Sequence, residues 1–367
     1  MRVVFAGGGT GGHLYPGLAI ARALVRLEPR VRPLFVGALR GVERDVLPGT
    51  GFEHLLLDLH PLYRARPWEN WRTVAGLASA WRALGAAFRA ERPALVVGTG
   101  GYASGAALVY AAAHGIPIAL QEQNSAPGLT TRWFAPRARA VFLGVPEAAP
   151  RLRVRDASVI ASLGNPIEPP PVPRPDRAAA RRAWGFPERG GTVVLAFGGS
   201  QGARGINDAV DAWAERGLPP DTYLIWGTGR APYERYARRT STRVAVRPYL
   251  SPIAGAYAAA DLAVTRSGAL TIAELSAWGI PAVLVPLPTA AGDHQTANAR
   301  TLAAAGAALM IPQQEFSADR LDSTVRSLVA DPPRLASLSA AMTSRARPNA
   351  AAEIATRLLA LLATPGS

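Results

Sequence analysis

Two stretches carry the residue types from which a binding site for a phosphate compound can be built. The first is VVFAGGGTGGH, Val3 to His13, in which a buried strand runs into glycines, a threonine and a histidine. Gly7, Gly9 and Gly12 match Gly-x-Gly-x-x-Gly literally, and bare backbone lets N–H groups approach an anion closely. Two more glycine turns follow strand-like runs: GTGGYASG (Gly98–Gly105) and GGSQGARG (Gly198–Gly205). The second stretch is TRSGALTIAEL (Thr265–Leu275), followed by AAGDHQTANA (Ala290–Ala299). Ser267 and Gly268 sit where a helix should begin, so the amides of Ala269, Leu270 and Thr271 are donors without intrahelical partners. A diphosphate placed there accepts those bonds and meets the positive end of the helix dipole. Glu274, further along that helix, has the chemistry to accept from both hydroxyls of a ribose; a solvated helix position is the plain alternative. Asp293, His294, Gln295 and Asn298 crowd another strand end, where amides can read sugar hydroxyls; Asp293 is otherwise an ordinary N-cap.

The phosphate compound is narrowed by what is missing. A P-loop requires lysine, and the chain has none: its 40 basic side chains are all arginine. A dinucleotide site wants an acid about 20 residues on, at the end of the second strand. That strand ends LFVGALR, with Gly37 and Arg40 and no carboxylate before Glu43. NAD is disfavoured, and NADP on Arg40 is the weaker rival. The opening loop suits a diphosphate or a sugar acceptor.

The elements that must position these residues are legible in outline. Length (367 residues), 49% hydrophobic and 18% charged residues describe a folded chain of two domains. Strand-like runs at Val3–Ala6, Pro33–Val36, His54–Leu57, Ala94–Val97, Pro117–Leu120 and Ala140–Leu143 alternate with helical stretches, as in a parallel α/β sheet. Gly164 to Arg177, GNPIEPPPVPRPDR, has six prolines in fourteen residues and reads as a semi-rigid linker. The pattern then restarts: TVVLAFGGSQGARGIN (Thr192–Asn207) echoes the opening, and runs follow at Tyr223–Trp226, Val244–Val246, Leu262–Thr265 and Ala282–Val285. The expected fold class is therefore α/β, two Rossmann-like parallel-sheet domains facing across a cleft, spanning 1–163 and 178–343. A last helix is expected over Ser344–Leu362.

Bulk charge bears on partners. Net +14 favours acidic partners, and zero cysteines exclude disulfides, thiolate metal sites and cysteine nucleophiles. Arginine is spread along the whole chain without a basic arm, so a nucleic-acid partner is not expected. The first apolar run stops at the glycines, too early for a secretory signal, and the run from Gly105 to Leu120 is broken by His114, Gly115 and Pro117. A soluble or peripheral protein is expected. The segment His60–Ala90 mixes Leu62, Trp68, Trp71, Trp81 and Phe88 with Arg64, Arg66, Arg72 and Arg82, which suits an anionic leaflet; a packed helix with a basic outer face is the alternative.

GGTGGH, GGYASG, QEQNSAPG, GNP, GGSQGARGIN, RSGALTIAE and DHQTANA occur in this order. Together they resemble the MurG family, N-acetylglucosaminyltransferases that make lipid II from lipid I in peptidoglycan synthesis, and the resemblance covers nearly the whole chain. It implies a GT-B architecture, UDP-N-acetylglucosamine held mainly by the second domain, and the undecaprenyl-diphosphate-linked muramoyl-pentapeptide taken by the first. It also implies a peripheral place on the cytoplasmic face of the membrane, and a last helix that returns to the first domain.

Carried over onto this chain, the resemblance makes Ser200 and Gln201 diphosphate contacts and puts uracil on backbone at Leu250. It puts the phosphates on Ala269, Leu270, Thr271, Ile272 and Ala273, the ribose on Glu274, and the sugar hydroxyls on Gln295. Thr10, Gly11, Gly12 and Asn124 approach the sugar, and Gly9, His13, Gly101 and Tyr102 lie on the acceptor side. The family often has an arginine where this chain has Glu168, with Arg204 or Arg266 available to compensate. For inverting transfer to the muramoyl 4-hydroxyl, His13 is the first candidate base, since imidazole titrates at about 6.5, and Glu122 the second. No Asp-x-Asp pair is present, so no metal or other cofactor is expected. Another lipid-directed UDP-sugar transferase is the alternative function.

Overall fold

The computed structural model describes residues 1–59, 70–199 and 201–363, and the side chains of 70–75 lie outside that description. The chain divides into two compact units: Met1–Glu168 with Asn349–Ser367, and Pro169–Pro348. Among the described residues, unit 1 holds a seven-stranded parallel sheet of β1 (Arg2–Gly7), β2 (Arg32–Ala38), β3 (Glu53–Leu57), β4 (Leu95–Gly100), β5 (Ile118–Glu122), β6 (Ala140–Leu143) and β7 (Ile160–Ser162). Its order is β3-β2-β1-β4-β5-β6-β7. The helices of unit 1 are α1 (Gly11–Leu27), α2 (Glu43–Val46), α3 (Asn70–Ala90), α4 (Gly101–Ala113) and α5 (Leu129–Phe134).

Unit 2 repeats the plan with β8 (Thr192–Phe197), β9 (Thr222–Gly227), β10 (Val244–Arg247), β11 (Leu262–Thr265), β12 (Ala282–Leu284) and β13 (Ala308–Met310), in the order β10-β9-β8-β11-β12-β13. Its helices are α6 (Arg177–Ala183), α7 (Arg204–Arg216), α8 (Tyr233–Ala237), α9 (Ala254–Ala259), α10 (Ala269–Trp278), α11 (His294–Ala304), α12 (Ala318–Val329) and α13 (Pro332–Ser344). The last helix, α14 (Ala350–Ala363), belongs to unit 1.

Both sheets are covered on both faces, which is why their strands are continuous apolar runs. Along β1 the faces alternate: Val3 and Phe5 join the core under α1 and α14, while Val4 and Ala6 join the core under α3 and α4. In unit 2, Val194 and Ala196 pack with Trp213 and Val325, and Val193 and Leu195 with Tyr257, Leu275 and Met342. The strand order reverses beside β1 and again beside β8, so each unit opens a crevice at the carboxyl ends of its central strands. All three glycine turns, and the Arg266–Gly268 turn, leave strands at those ends.

The structure departs from the sequence expectation at two edges and at the end. Strands β7 and β13 were not expected; each has three residues and no β-branched run. The last helix starts at Ala350 rather than at Ser344: Ser344 closes the preceding helix α13, and Pro348 disfavours helix at Arg347. The division between units falls after Glu168 within the proline-rich stretch, and Asp176 caps α6 by accepting from the Ala179 amide at 2.7 Å.

Ile354 and Leu358 of α14 are fully buried with Leu14 and Leu18 of α1. Leu358→Ala is therefore expected to destabilise unit 1 by about 2–5 kcal/mol. Denaturant unfolding would measure it, and a loss well below that range would mean α14 is not part of this core.

Candidate functional site

In unit 1 the loops after β1 and β4 interlock. Gly8 donates its N–H to the Gly100 carbonyl at 3.4 Å, and a Cβ on Gly101 (φ +76°) would lie 2.1 Å from the Gly8 oxygen. The His13 ring lies on Gly100 and Gly101, and the Tyr102 ring lies against Gly9. His13 Nδ1 is 3.2 Å from the Thr10 hydroxyl, and the Thr99 hydroxyl donates to the His13 carbonyl at 2.7 Å. Thr10 stands at the N-cap of α1, with Gly11 and Gly12 opening the helix. Gly9, Thr10, His13, Gly101 and Tyr102 are thus brought together.

Beneath this loop lies a carboxylate that sequence reasoning treated only as a misplaced ribose acid. Glu43 is fully buried; its Oε1 accepts from the Gly9 amide at 2.8 Å and from the Ala38 amide at 3.1 Å, and its Oε2 has no hydrogen-bond partner. A Cβ on Gly8, Gly37 or Gly41 would collide with the Glu43 side chain. The expectation that bare N–H groups of this loop face an anion is corrected at Gly9, whose N–H is already given to Glu43.

The loop after β5 is organised by Glu122 and a buried amide network. Glu122 accepts from the Asn124 amide (3.0 Å), Asn124 Nδ2 (3.2 Å), the Gly128 amide (2.9 Å) and the Thr131 hydroxyl (2.6 Å). A buried carboxylate with both oxygens so engaged positions Asn124 rather than abstracting a proton, which corrects its place as second candidate base. Gln123 donates to the Thr99 carbonyl at 2.7 Å, and Asn165 of the GNP motif donates to the Gln123 carbonyl at 3.0 Å. The amide network ties the loops after β4 and β5 to the end of unit 1.

In unit 2 the turn after β11 delivers α10 with Gly268 at its N-cap and no side chain capping it. The first amides, at Ala269, Leu270 and Thr271, therefore stand open, with Ile272 and Ala273 completing the turn. The turn is braced from α11: the Ser267 hydroxyl donates to the Gln295 carbonyl (2.8 Å), and Asn298 Nδ2 donates to the Ser267 carbonyl (3.2 Å). Asn298 is buried, so it supports the turn instead of reading a ligand. Gln295 Oε1 accepts from the Leu287 amide at 3.0 Å. Asp293 stands at the α11 N-cap but its side chain makes no cap bond, because its backbone is left-handed (φ +54°).

Arg266 is 9% exposed and donates to the Val285 and Pro286 carbonyls and to Gln313 Oε1. No described carboxylate pairs with it, and burial lowers its pKa. A buried guanidinium held by neutral partners leaves its charge uncompensated beside the α10 N-terminus. Arg204, the other compensating candidate, points to solvent and pairs with Asp208 at 3.5 Å. Leu250 is buried after β10 against Gly227, and Gln201 is exposed in the loop after β8; Ser200 lies outside the described residues.

Away from these strand ends, a cavity of about 480 Å3 opens at the amino ends of β11 and β12, between Arg174, Tyr257, Asp261, Trp278 and Ser339. Among the described residues no group of three or more histidines, aspartates or glutamates is placed to hold a metal. On α3, Leu77 and Trp81 are exposed one turn apart, whereas Phe88 is buried against Tyr110, which removes it from the expected membrane face. Residues 60–69, with Leu62, Arg64, Arg66 and Trp68, and the side chains of Trp71 and Arg72, lie outside the described residues.

Comparison with known proteins matches residues 3–143 to the glycosyltransferase family 28 N-terminal domain and residues 193–358 to the family 28 C-terminal domain. The UDP-N-acetylglucosamine–N-acetylmuramyl-(pentapeptide) pyrophosphoryl-undecaprenol N-acetylglucosamine transferase of Moorella thermoacetica is 40% identical over 365 residues, covering 95% of this chain and 96% of its own. The protein of the same name from Chlorobium phaeobacteroides is 40% identical over 367 residues, covering 98% and 99%. The crystal structure of Acinetobacter baumannii MurG superposes with TM-score 0.76 at 26% identity, covering 98% of this chain and 99% of its own.

Glu43→Ala would leave the Gly9 and Ala38 amides without an acceptor, at a cost of about 1–3 kcal/mol for each. Hydrogen exchange at Gly9 is expected to accelerate while unit 2 amides keep their rates. Unchanged protection at Gly9 would show that the carboxylate does not hold the loop.

Proposed function

The chain belongs to glycosyltransferase family 28, and from that premise we propose that it transfers N-acetylglucosamine from UDP-N-acetylglucosamine to the muramoyl 4-hydroxyl of undecaprenyl-diphospho-muramoyl-pentapeptide, forming lipid II. The observation that carries the donor side is the uncapped start of α10 at the switch point of unit 2, beside the unneutralised Arg266. As the glycosidic bond breaks, negative charge grows on the UDP diphosphate. Preorganised amides and a fixed buried cation stabilise that charge at the moment it appears. We take the amides of Ala269 to Thr271 as its holders, with Ser200 and Gln201 as the further diphosphate contacts that the family resemblance implies and no metal required. Glu274 accepts from the ribose, backbone near Leu250 meets uracil, and Gln295 offers its side-chain amide N–H to the sugar hydroxyls.

On unit 1, Thr10, Gly11, Gly12 and Asn124 would meet the sugar, and Gly9, His13, Gly101 and Tyr102 the acceptor. His13 is the proposed base: with Nδ1 protonated and donating to the Thr10 hydroxyl, Nε2 carries the lone pair that takes the proton of the attacking hydroxyl. Attack from the face opposite UDP inverts the anomeric centre and gives a β-1,4 bond.

Peripheral docking on the anionic cytoplasmic leaflet is part of the same proposal. Net charge of +14 and the exposed Leu77 and Trp81 beside Arg82 support it. No described helix is long and apolar enough to cross a membrane.

Incubation with UDP-N-acetylglucosamine and a soluble lipid I analogue should release UDP and form the disaccharide, and absence of product would overturn the assignment. His13→Ala is expected to lower kcat by about 10²–10⁴-fold at saturating acceptor; near-normal turnover would remove it from the base role. Trp81→Ala should weaken flotation with anionic vesicles, and equal flotation with neutral vesicles would count against leaflet docking.

A further inference from the structure

We infer that Tyr257 is a positioning residue for donor binding: its hydroxyl holds one carboxylate oxygen of Glu274 and so turns the other toward the ribose diol. The inference rests on the reading of Glu274 as the ribose acceptor.

Tyr257 lies on α9, and its hydroxyl donates to Glu274 Oε2 at 2.7 Å. Among the described residues it is the one hydrogen-bond partner of that carboxylate. The phenol is itself held firmly. It is 3% exposed, its ring lies 5.7 Å from Trp278 and 6.4 Å edge-on from Phe197, and one side walls the cavity at the amino ends of β11 and β12.

A free glutamate must lose side-chain torsional freedom when a ligand orders it, and that loss weakens binding. Here the loss is taken on folding, because a rigid phenol captures Oε2 before any ligand arrives. The lone pairs of Oε1 then stay available to two adjacent hydroxyls. Burial pushes the Glu274 carboxyl up and the Tyr257 phenol well up. A phenol donor works against the first shift by favouring the ionised carboxylate, the form that accepts from a diol.

The deciding experiment is steady-state kinetics of the full chain on two donors: UDP-N-acetylglucosamine and its 2′-deoxyribose analogue. Tyr257→Phe keeps the ring and its packing and removes only the hydroxyl. It is expected to raise the KM for the natural donor about tenfold, with kcat within about twofold and Tm lowered by only a few degrees. For the deoxy analogue, the parent and Tyr257→Phe should differ by less than about threefold, because the contact that Tyr257 serves is already impaired. An equal KM penalty on both donors, a fall in kcat alone, or no change in KM would overturn the inference. Glu274→Gln separates the two layers. If it raises KM for the natural donor and not for the analogue while Tyr257→Phe changes nothing, the positioning role fails and the ribose reading stands. If Glu274→Gln affects both donors alike, the ribose reading fails and the inference falls with it.

Discussion

Both units are organised by one constraint: a helix that follows a parallel strand begins with amide groups that the helix itself cannot satisfy. Each of those groups must find a side chain, water or a ligand. In neither α1 nor α10 does a side chain cap the first turn, and the two halves differ instead in the charge set beside it. At α10 the amides are left open, the N-cap is glycine, and a buried arginine that no described carboxylate pairs adds to the same positive field. After β1 the loop meets a carboxylate of its own, Glu43, which takes the Gly9 amide. One crevice is therefore prepared for strong negative charge, and the other is partly neutralised from below. The first setting suits a departing UDP, and the second suits an alcohol that gives up its proton.

The supporting side chains share a pattern. Glu43, Glu122, Gln123, Asn165 and Asn298 are polar groups near strand ends that bond to loop backbone, and Gln313 accepts from the Arg266 guanidinium. Most residues proposed to touch substrate lie in the first turns of α1, α4, α10 and α11, which are entered from loops, the least constrained parts of a chain. Tying them down with buried hydrogen bonds lets small residues such as Thr10 and Gly101 keep defined places, at the cost of making each buried polar group intolerant of losing its partner.

Glycine serves the same end by close approach. Gly101 in the left-handed region lets the β4 loop press onto the Gly8 carbonyl, and the His13 ring then lies against that backbone. The geometry of the proposed base thus depends on two residues that have no side chain at all.

Much of this was legible in residue order. Apolar runs separated by helical stretches, and the repetition of strand and glycine turn at Val3 and Thr192, determined two parallel sheets, since local periodicity and turn chemistry depend on near neighbours. The motifs likewise located the α10 start, because an uncapped helix entry is a local property. The tertiary structure alone decided what lies beneath those motifs. Glu43 reaches Gly9 across 34 positions, Asn165 reaches Gln123 across 42, and Tyr257 reaches Glu274 from a different helix. It also turned Glu122 and Asn298 inward and buried Phe88. A side chain's partner is set by which strand ends become neighbours, and strand order across a sheet is a long-range outcome that no window of sequence contains.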